Sequence, residues 1–289
     1  MKKLEGRVAL VTGGGRGIGA AIALAFAQEG AGLMIASRTE AELDGVAARC
    51  RALGVDCATS VTDVSSRSAV QQLVKATLDT HGHVDVLVNA AGVYGPIGAV
   101  TDVDVDEWER AVRVNLMGTL YACHYTVPAM AARKSGSIIN FSGGGATAPL
   151  PRFSAYGVSK AAIVRLSETL AEEVVADGIR VNAIAPGAID TTLQDEVLEA
   201  GERAGPLYQR IVALRKTGAG GTPIEVPASL AVFLASDESL GLTGRLISAP
   251  HDPWREWNRS RIESLAGSAW YTLRRLDPFT VGPLKDRTP

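Results

Sequence analysis

Short runs of consecutive apolar residues alternate along the chain with longer stretches in which apolar residues recur every three or four positions. The short runs predict strands at Val8–Thr12, Leu33–Ala36, Asp56–Ser60, Val84–Val88, Ser137–Phe141, Ile179–Ile184 and Arg245–Ser248. The longer stretches predict helices at Ile18–Glu29, Glu40–Leu53, Arg67–Thr80, Glu107–Ala132, Tyr156–Asp177 and Pro227–Ser236. Uniformly apolar strands that alternate with helices are typical of a parallel sheet covered on both faces. We therefore expect an α/β fold with a single doubly wound parallel sheet and helices on both faces.

Two regions depart from this alternation. Residues 192–222 are polar, glycine-rich and weakly periodic, which is typical of a lid loop. Beyond residue 250 the composition changes again, with three of the four tryptophans among many arginines. We expect residues 1–250 to form one catalytic domain and residues 251–289 to be an extension that is not an independent domain. Two interpretations of the extension remain open: an arm packed on its own subunit or a neighbour, and a flap that closes the active site.

The overall composition argues against several classes of partner. The 29 basic and 31 acidic residues give a formal net charge of -2, which offers no electrostatic footprint for nucleic acid or an anionic membrane. The three cysteines and four histidines are scattered, so they predict neither a disulfide framework nor a metal site. No apolar run reaches the roughly 18 residues that span a bilayer, and no signal-peptide pattern opens the chain. We expect a cytoplasmic protein without a nucleic-acid or membrane partner.

A glycine-rich loop joins the first predicted strand to the first predicted helix. From Thr12 to Gly19 the sequence reads TGGGRGIG. Glycines there permit a tight turn and a close approach of the backbone to a pyrophosphate, and the following helix offers free N–H groups and the positive end of its dipole. The strand before the loop and the alanine-rich helix after it are the context that a dinucleotide site requires. An ordinary structural turn is the alternative interpretation.

The end of the second strand indicates which dinucleotide would bind. NAD sites carry a carboxylate about 20 residues beyond the glycine loop, where it binds the ribose hydroxyls. Here the strand ends in Ser37, Arg38 and Thr39, and the first carboxylate is Glu40. The guanidinium of Arg38, with Arg16 from the glycine loop, could instead pair with the 2′-phosphate of NADP(H). Two solvated surface arginines are the alternative.

A tyrosine and a lysine lie four residues apart on the last long helix before the sixth strand. Tyr156 and Lys160 therefore share one helix face. A free phenol has a pKa of about 10, and a neighbouring ammonium favours the phenolate and lowers that pKa. The tyrosine could then donate a proton to a ketone or accept one from an alcohol. In isolation such a pair is usually part of a helix surface, so its meaning depends on the other motifs.

Taken in order, the motifs resemble those of the short-chain dehydrogenase/reductase family from about residue 4 to residue 248. They comprise the TGxxxGxG loop, Asn89-Ala90-Ala91-Gly92 for the family's NNAG, Asn115, Tyr156-x-x-x-Lys160, Pro186-Gly187-x-Ile189-x-Thr191, and Phe233–Glu238 followed by Thr243-Gly244. The resemblance implies a Rossmann-like fold and a homodimer or homotetramer. It also implies hydride transfer between NADP(H) and a carbonyl or alcohol carbon.

The resemblance further implies roles for individual residues. The implied catalytic set is Asn115, Ser142, Tyr156 and Lys160, in which Lys160 also holds the nicotinamide ribose and Asn115 anchors a water that leads to Lys160. The implied cofactor contacts are Gly13, Arg16, Gly17, Ile18, Gly19, Ser37, Arg38, Asp63, Val64, Asn89, Ala91, Gly92, Tyr156, Lys160, Pro186, Gly187, Ile189 and Thr191. Asp63 and Val64 would contact the adenine. A generic strand-end Asp, and an Asn that caps a turn, are the alternatives for Asp63 and Asn89.

One departure from the family pattern falls within the catalytic set. The family's catalytic serine corresponds in spacing to Gly143, and the nearest hydroxyl belongs to Ser142, one position earlier. An offset of one residue in a strand turns a side chain to the opposite face, although the three glycines that follow could bend the backbone enough to restore it. Ser142 is therefore the expected second hydrogen-bond donor to the substrate oxygen, and the backbone N–H of Gly143 is the alternative.

Three functions remain open on the sequence alone. The leading one is a carbonyl reductase or alcohol dehydrogenase. The others are an NADP(H)-binding sensor or scaffold with weak catalysis, and a redox-neutral epimerase or dehydratase that acts through a transient ketone. Fold does not decide between them. The expected substrate-pocket residues are mostly apolar and favour a hydrophobic or cyclic carbonyl compound; they are Tyr94, Pro149, Leu150, Phe153, Ile189, Leu193, Leu207 and Tyr208.

Overall fold

The computed structural model describes residues 2–218 and 220–275, and these contain a parallel sheet of seven strands. The strands are β1 (Val8–Thr12), β2 (Gly32–Ser37), β3 (Cys57–Val61), β4 (Val86–Asn89), β5 (Gly136–Phe141), β6 (Ile179–Ala185) and β7 (Leu246–Ser248). Their order is β3-β2-β1-β4-β5-β6-β7, and every neighbouring pair is parallel. The strand order reverses at β1 and β4, which is where doubly wound sheets open a crevice for a ligand.

Helices cover both faces of this sheet. They are α1 (Gly17–Gln28), α2 (Glu40–Ala52), α3 (Arg67–His81), α4 (Val105–Val112), α5 (Gly118–Ala132), α6 (Ser154–Val174), α7 (Leu193–Ala200), α8 (Pro206–Thr217), α9 (Glu225–Ala235) and α10 (Arg259–Leu265). Successive strand residues enter opposite layers: Val11 packs in the cluster of α1 and α9, and Leu10 in that of α3 and α5. No helix in the described ranges is both long and apolar enough to cross a membrane. The expected α/β class and doubly wound sheet are confirmed.

One predicted helix is interrupted in the structure. The predicted strands all occur with ends within two residues of their expected positions, but the helix expected over Glu107–Ala132 is three segments. α4 ends at Val112, a π-helical turn spans Arg113–Met117, and α5 begins at Gly118. Apolar periodicity does not reveal the interruption because the backbone at the junctions keeps right-handed helical angles. Such wide turns often occur at functional sites, and this one contains the buried Asn115.

Residues 192–222 are largely helical rather than a loop. They contain α7, a 3₁₀ turn at Gly201–Ala204 and α8. Val197, Ile211 and Leu214 are buried in a separate small cluster with residues around Tyr156. The helices are short, with 8 and 12 residues, and each buries few side chains, so their periodicity in the sequence is weak. We call α7, α8 and the turn between them the lid.

The chain beyond β7 packs on its own subunit as far as the structure describes it. Trp254 and Trp257 are 4% and 6% exposed and belong to the apolar cluster of α1 and α9. The guanidinium of Arg245 donates to three backbone carbonyl oxygens of this segment. The remainder of the expected extension, residues 276–289, lies outside the described residues.

Candidate active site

A cleft lies at the carboxyl ends of β1, β2 and β4. Many of the expected cofactor contacts line it: Gly13, Arg16, Gly17, Ile18, Gly19, Ser37, Arg38, Asp63, Val64, Ala91, Gly92 and Thr191. Residues that were not among the expected cofactor contacts also line it: Thr39, Glu42, Thr62, Ala90, Val93, Val114, Thr192, Leu193 and Glu196. The other expected contacts are not among the lining residues: Asn89, Tyr156, Lys160, Pro186, Gly187 and Ile189. Most of the missed residues adjoin a motif in the sequence, whereas Glu196 is brought in by the lid and has no sequence signal.

The glycine loop is packed too closely to hold side chains. A Cβ on Gly13 would lie 2.7 Å from the Ala91 nitrogen, and one on Gly19 would lie 2.1 Å from the Gly13 carbonyl oxygen. α1 begins at Gly17 with no acidic residue in its first turn, so its free N–H groups and positive dipole end are available to an anion. The loop therefore fits the requirements of a pyrophosphate-binding turn.

Two arginines border the cleft beside the end of β2. Arg38 is exposed and forms no salt bridge with any described carboxylate. Arg16 lies 3.5 Å from the Glu42 carboxylate, and 58% of its side chain is exposed. Burial acts to raise the pKa of Asp63, but hydrogen bonds from Ser65 and the charge of Arg38 outweigh it, so this pKa lies below its ordinary value. This end of the cleft therefore carries two guanidinium groups that are accessible to a ligand.

Tyr156 and Lys160 lie one turn apart on α6 and are both buried, with 8% and 5% exposure. Lys160 Nζ donates to the Phe141 carbonyl oxygen at 2.8 Å and lies 5.5 Å from the centre of the Tyr156 ring. Burial lowers the pKa of Lys160 to about 8 and raises that of Tyr156 above its ordinary value. The expected lowering of the Tyr156 pKa is therefore wrong for this arrangement, because burial and the neighbouring Tyr94 both act to raise it.

The segment after β5 places Gly143 against the Tyr156 hydroxyl. A Cβ on Gly143 would lie 2.2 Å from Tyr156 Oη, so the phenol occupies the space of a side chain at that position. We call this space the Gly143 recess. Ser142 is 2% exposed, and its Oγ has no hydrogen-bond partner in the described part of the chain. The Ser142 hydroxyl is thus buried and uncommitted, while Gly143 forms the wall beside the phenol.

Two buried asparagines connect the elements around the site. Asn115 Nδ2 donates to the Val93 carbonyl oxygen and to Ser159 Oγ, and Asn115 Oδ1 accepts from the Val93 N–H, all at 2.9 Å. These bonds join the π-helical turn to the segment after β4 and to α6. Asn89 Nδ2 donates to Asn140 Oδ1 at 2.9 Å, which joins β4 to β5. Both asparagines therefore brace the site from within the protein.

The lid packs directly over Tyr156. Tyr94, in the segment after β4, contacts the Tyr156 ring edge-on with centroids 4.8 Å apart, and its hydroxyl donates to Gln194 Oε1 of α7 at 3.2 Å. Most of the expected substrate-pocket residues belong to this one cluster: Tyr94, Leu150, Phe153, Leu193, Leu207 and Tyr208. Pro149 is exposed, and Ile189 is buried but is not a member of the cluster.

The sequence is similar to those of known oxidoreductases. Residues 7–202 match the family model described as short chain dehydrogenase. A 3-oxoacyl-[acyl-carrier-protein] reductase from Thermotoga maritima is 34% identical over 247 residues, which cover 85% of this chain and 96% of that protein. A 2-keto-3-deoxy-L-fuconate dehydrogenase from Xanthomonas campestris pv. campestris is 37% identical over 245 residues, which cover 84% of this chain and 78% of that protein.

The structure is similar to solved structures of the same kind. An NAD+-bound xylitol dehydrogenase matches with a TM-score of 0.79 and 31% identity over 86% of this chain and 98% of that chain. Levodione reductase matches with a TM-score of 0.78 and 28% identity over 85% of this chain and 96% of that chain. The chain therefore belongs to the short-chain dehydrogenase family, and it is an oxidoreductase with a Rossmann-like sheet.

Proposed function

We propose that this protein transfers a hydride between NADP(H) and a carbonyl or alcohol carbon of a small, apolar or cyclic substrate. The observation that carries the proposal is the proximity of the Tyr156–Lys160 pair to the glycine-lined cleft. Gly92 lines the cleft, and a Cβ on it would lie 3.5 Å from Lys160 Nζ. A proton carrier and a dinucleotide cradle thus meet at one edge of the sheet. The proposed catalytic domain is residues 1–250, with residues 251–289 as its extension.

The two arginines at the cleft support NADP(H) rather than NAD(H). The xylitol dehydrogenase of similar structure contains NAD+, so family membership alone does not settle the preference. In this chain the end of β2 carries no carboxylate before Glu40. Arg38 lines the cleft there without a salt-bridge partner among the described residues, and Arg16, which also lines the cleft, lies 3.5 Å from the Glu42 carboxylate. Guanidinium groups bind phosphate through paired, charge-assisted hydrogen bonds.

The described residues fit a bound dinucleotide along the whole cleft. The backbone of the glycine loop and the start of α1 would hold the pyrophosphate, Asp63 and Val64 the adenine, and Ala91 and Gly92 the centre of the molecule. The segment from Pro186 to Thr191 would contact its other end. When bound, NADP(H) supplies or accepts the hydride.

Tyr156 is the proposed proton donor in reduction and the proton acceptor in oxidation. Lys160, with a pKa of about 8, keeps a proton at Nζ near neutrality, and that charge favours the phenolate whenever the ammonium turns from Phe141 to the tyrosine. Asn115 holds Val93 and α6 in place. Ser142 is the proposed second donor to the substrate oxygen. The apolar cluster around Tyr156 favours a substrate with little polar surface beyond that oxygen.

Calorimetric titration with NADPH and NADH tests the cofactor assignment. The wild-type protein is expected to bind NADPH more tightly. Arg38→Asp is expected to weaken NADPH binding by several-fold or more, because hydrogen bonds to charged groups contribute roughly 1.5–3 kcal/mol. Equal affinities for the two cofactors in the wild-type protein would contradict the assignment.

NADPH oxidation across a panel of aliphatic and cyclic ketones tests the reaction. Turnover is expected with apolar ketones, and Tyr156→Phe should lower it by about 10²–10⁴-fold, the usual contribution of a general acid. The variant should bind NADPH as well as the wild-type protein does, since only the hydroxyl is lost. Near-normal turnover in the variant would mean that the proton comes from another group.

A second candidate function is an NADP(H)-binding sensor with weak catalysis. The observation in its favour is Gly143, which leaves the phenol without the neighbouring side-chain hydroxyl of the family pattern. The ketone panel separates the two, because a sensor would bind NADPH tightly and oxidise it with none of the ketones.

A further inference from the structure

Two residues of the lid helix α7 interact with Tyr94, which lies outside the lid in the segment after β4. The Tyr94 hydroxyl donates to Gln194 Oε1 at 3.2 Å, and the Tyr94 backbone N–H interacts with the Glu196 carboxylate. Gln194 is fixed in turn, because its Nε2 donates to the Ile189 carbonyl oxygen at 3.3 Å. Tyr94 and Gln194 are 6% and 7% exposed. A movement of α7 would therefore either carry Tyr94 with it or break the hydrogen bond between Tyr94 and Gln194.

Tyr94 also forms one wall of the space around the Tyr156 ring. Their centroids lie 4.8 Å apart at an angle of 60°, an edge-on arrangement that aromatic pairs favour. Phe153 supports Tyr94 from another direction, with centroids 5.2 Å apart. Displacement of Tyr94 would therefore remove one of the contacts that surround the Tyr156 ring.

The Gly143 recess holds the hydroxyl end of Tyr156. A Cβ on Gly143 would lie 2.2 Å from the phenol oxygen and 2.9 Å from the ring carbon that bears it. The backbone does not require glycine there, because Gly143 is not among the residues with positive φ, whereas Gly145 is, with φ of +89°. The phenol itself is what excludes a side chain at position 143. A residue larger than glycine and the present position of Tyr156 are therefore mutually exclusive.

We infer that Tyr94 is a positioning residue that couples the lid to Tyr156: the closed lid holds the phenol in the Gly143 recess, and release of Gln194 frees it for the substrate. This inference rests on the proposed function, since it concerns access to the same tyrosine. It also accounts for the departure from the family pattern at position 143, where a serine Cβ would occupy the place of the resting phenol. The chain thus has a resting state in which its proton carrier is buried.

Hydrogen exchange of the α7 amides in the protein alone tests the coupling. Gly143→Ala and Gly143→Ser should both raise the exchange rate at least about 10-fold, because the added Cβ expels the phenol, which displaces Tyr94 and loosens α7. Gly144→Ala is the matched control. A Cβ on Gly144 meets only Leu150, at an ordinary 3.7 Å, so exchange should stay at the wild-type rate.

Variants that lack the hydrogen bond between Tyr94 and Gln194 test the inference if substitution of Gly143 prevents folding. Tyr94→Phe and Gln194→Leu each remove the hydrogen bond and should raise α7 exchange by roughly 3- to 10-fold, as the net value of one hydrogen bond implies. Tyr208→Phe, in the same apolar cluster, should leave the exchange of α7 unchanged.

A pH profile separates positioning from a merely structural role. If the lid is loosened in Tyr94→Phe, the phenol of Tyr156 should be less buried, and the apparent pKa in the kcat/KM profile should fall relative to that of Tyr208→Phe. The inference is overturned if Gly143→Ala exchanges like Gly144→Ala, or if Tyr94→Phe matches Tyr208→Phe in both exchange and pH profile. Because exchange needs neither cofactor nor turnover, a negative ketone panel would refute the proposed reaction without changing this result.

Discussion

Two side chains at the site carry buried polar atoms without a hydrogen-bond partner among the described residues. Asn89 Oδ1, at the end of β4, and Ser142 Oγ, just after β5, are both in this state. A buried polar group without a partner costs about 1–3 kcal/mol, and such groups in native proteins commonly have a functional explanation. For Ser142 we propose that the explanation is the substrate oxygen, whose second lone pair needs a donor beside Tyr156.

We expect Ser142→Ala to separate stability from activity. Loss of the buried hydroxyl should raise the free energy of unfolding by up to about 1–3 kcal/mol. Turnover should fall by about 10²–10³-fold, the usual effect of removing one oxyanion donor. Urea unfolding and steady-state kinetics with the best ketone measure the two effects. A variant that gains stability and keeps its turnover would show that the buried hydroxyl only destabilises the fold and that another group, such as the Gly143 N–H, is the donor.

We expect Lys160 to make the stability of the protein depend on pH in the alkaline range. Burial lowers its pKa from 10.5 to about 8. At pH values between about 8 and 10.5 the unfolded chain binds a proton at Lys160 that the folded chain does not. The free energy of unfolding therefore rises as the pH increases over this range, and the gain is lost as the pH falls through about 8. The shift corresponds to roughly 3 kcal/mol. In Lys160→Met this contribution is absent, so the stability difference between wild type and variant should change by about that amount from pH 7.5 to pH 10.5.

The comparison with Lys160→Met cancels the titration of all other groups, provided that their surroundings are unchanged. Urea midpoints at several pH values give the difference directly. A difference that stays constant across the range would mean that the Lys160 ammonium is better solvated than its burial indicates.

Among the elements, those set by local pattern were predictable and those set by long-range contacts were not. The strands and the glycine loop follow from uniform apolar runs and from turn chemistry, so their positions agree with expectation. The π-helical turn contains Asn115, whose side chain bonds Val93 and Ser159, which are distant in sequence. The lid helices are stabilised by a small cluster that includes Tyr94. Neither contact leaves a periodic signal in its own segment.

The same reasoning explains which site residues could be predicted from the sequence. The glycine loop and the Tyr156–Lys160 pair are recognisable because several residues lie at fixed spacing within one segment. Glu196 reaches the cleft only through the fold of the lid. The effect of burial on the Tyr156 pKa also depends on the lid and on Tyr94. The helical spacing therefore predicts that Lys160 is a neighbour of Tyr156, but it does not predict whether the Tyr156 pKa is raised or lowered.

We expect Asn115→Ala to destabilise the protein by about 1–3 kcal/mol. The substitution leaves the N–H and carbonyl of Val93 and the Ser159 hydroxyl without their partner in a buried region. Gln72→Ala, at an exposed position of α3, is the control and should change stability by less than about 0.5 kcal/mol. Urea unfolding of the two variants measures the difference. Equal stability would mean that water replaces the Asn115 side chain without cost.

At the scale of the whole molecule, the segment after β7 closes an edge of the sheet. β7 is the last strand on that side, and the Leu246 N–H donates to the Tyr271 carbonyl oxygen at 2.7 Å. Farther along, the Leu273 N–H donates to the Glu168 carboxylate of α6. Trp254 lies against α9, on the other face. The segment therefore passes from one helical layer to the other across β7 and protects an edge that would otherwise be open to pairing with another chain.

The attachment of this segment depends on Arg245, and its loss gives a test at the same scale. Arg245 is 7% exposed and donates to the carbonyl oxygens of Leu265, Ser268 and Trp270. Arg245→Met keeps an unbranched apolar stem but removes these bonds, so we expect a loss of about 2–4 kcal/mol in the free energy of unfolding, given roughly 1.5–3 kcal/mol for each charged hydrogen bond less the cost of burying the charge.

Arg259→Met is the matched control, because Arg259 lies in the same segment with 91% of its side chain exposed and, among the described residues, forms a surface pair with Glu263 alone. Such pairs contribute about 0–1 kcal/mol. Trypsin should cut Arg245→Met between residues 255 and 275 faster than it cuts either the wild type or Arg259→Met, since a detached segment exposes its arginines. Equal cleavage of the two variants would show that the tryptophans, not Arg245, hold the segment in place. The edge of β7 would then be protected by apolar packing alone, and an increase in self-association would be expected from Trp254→Ala rather than from Arg245→Met.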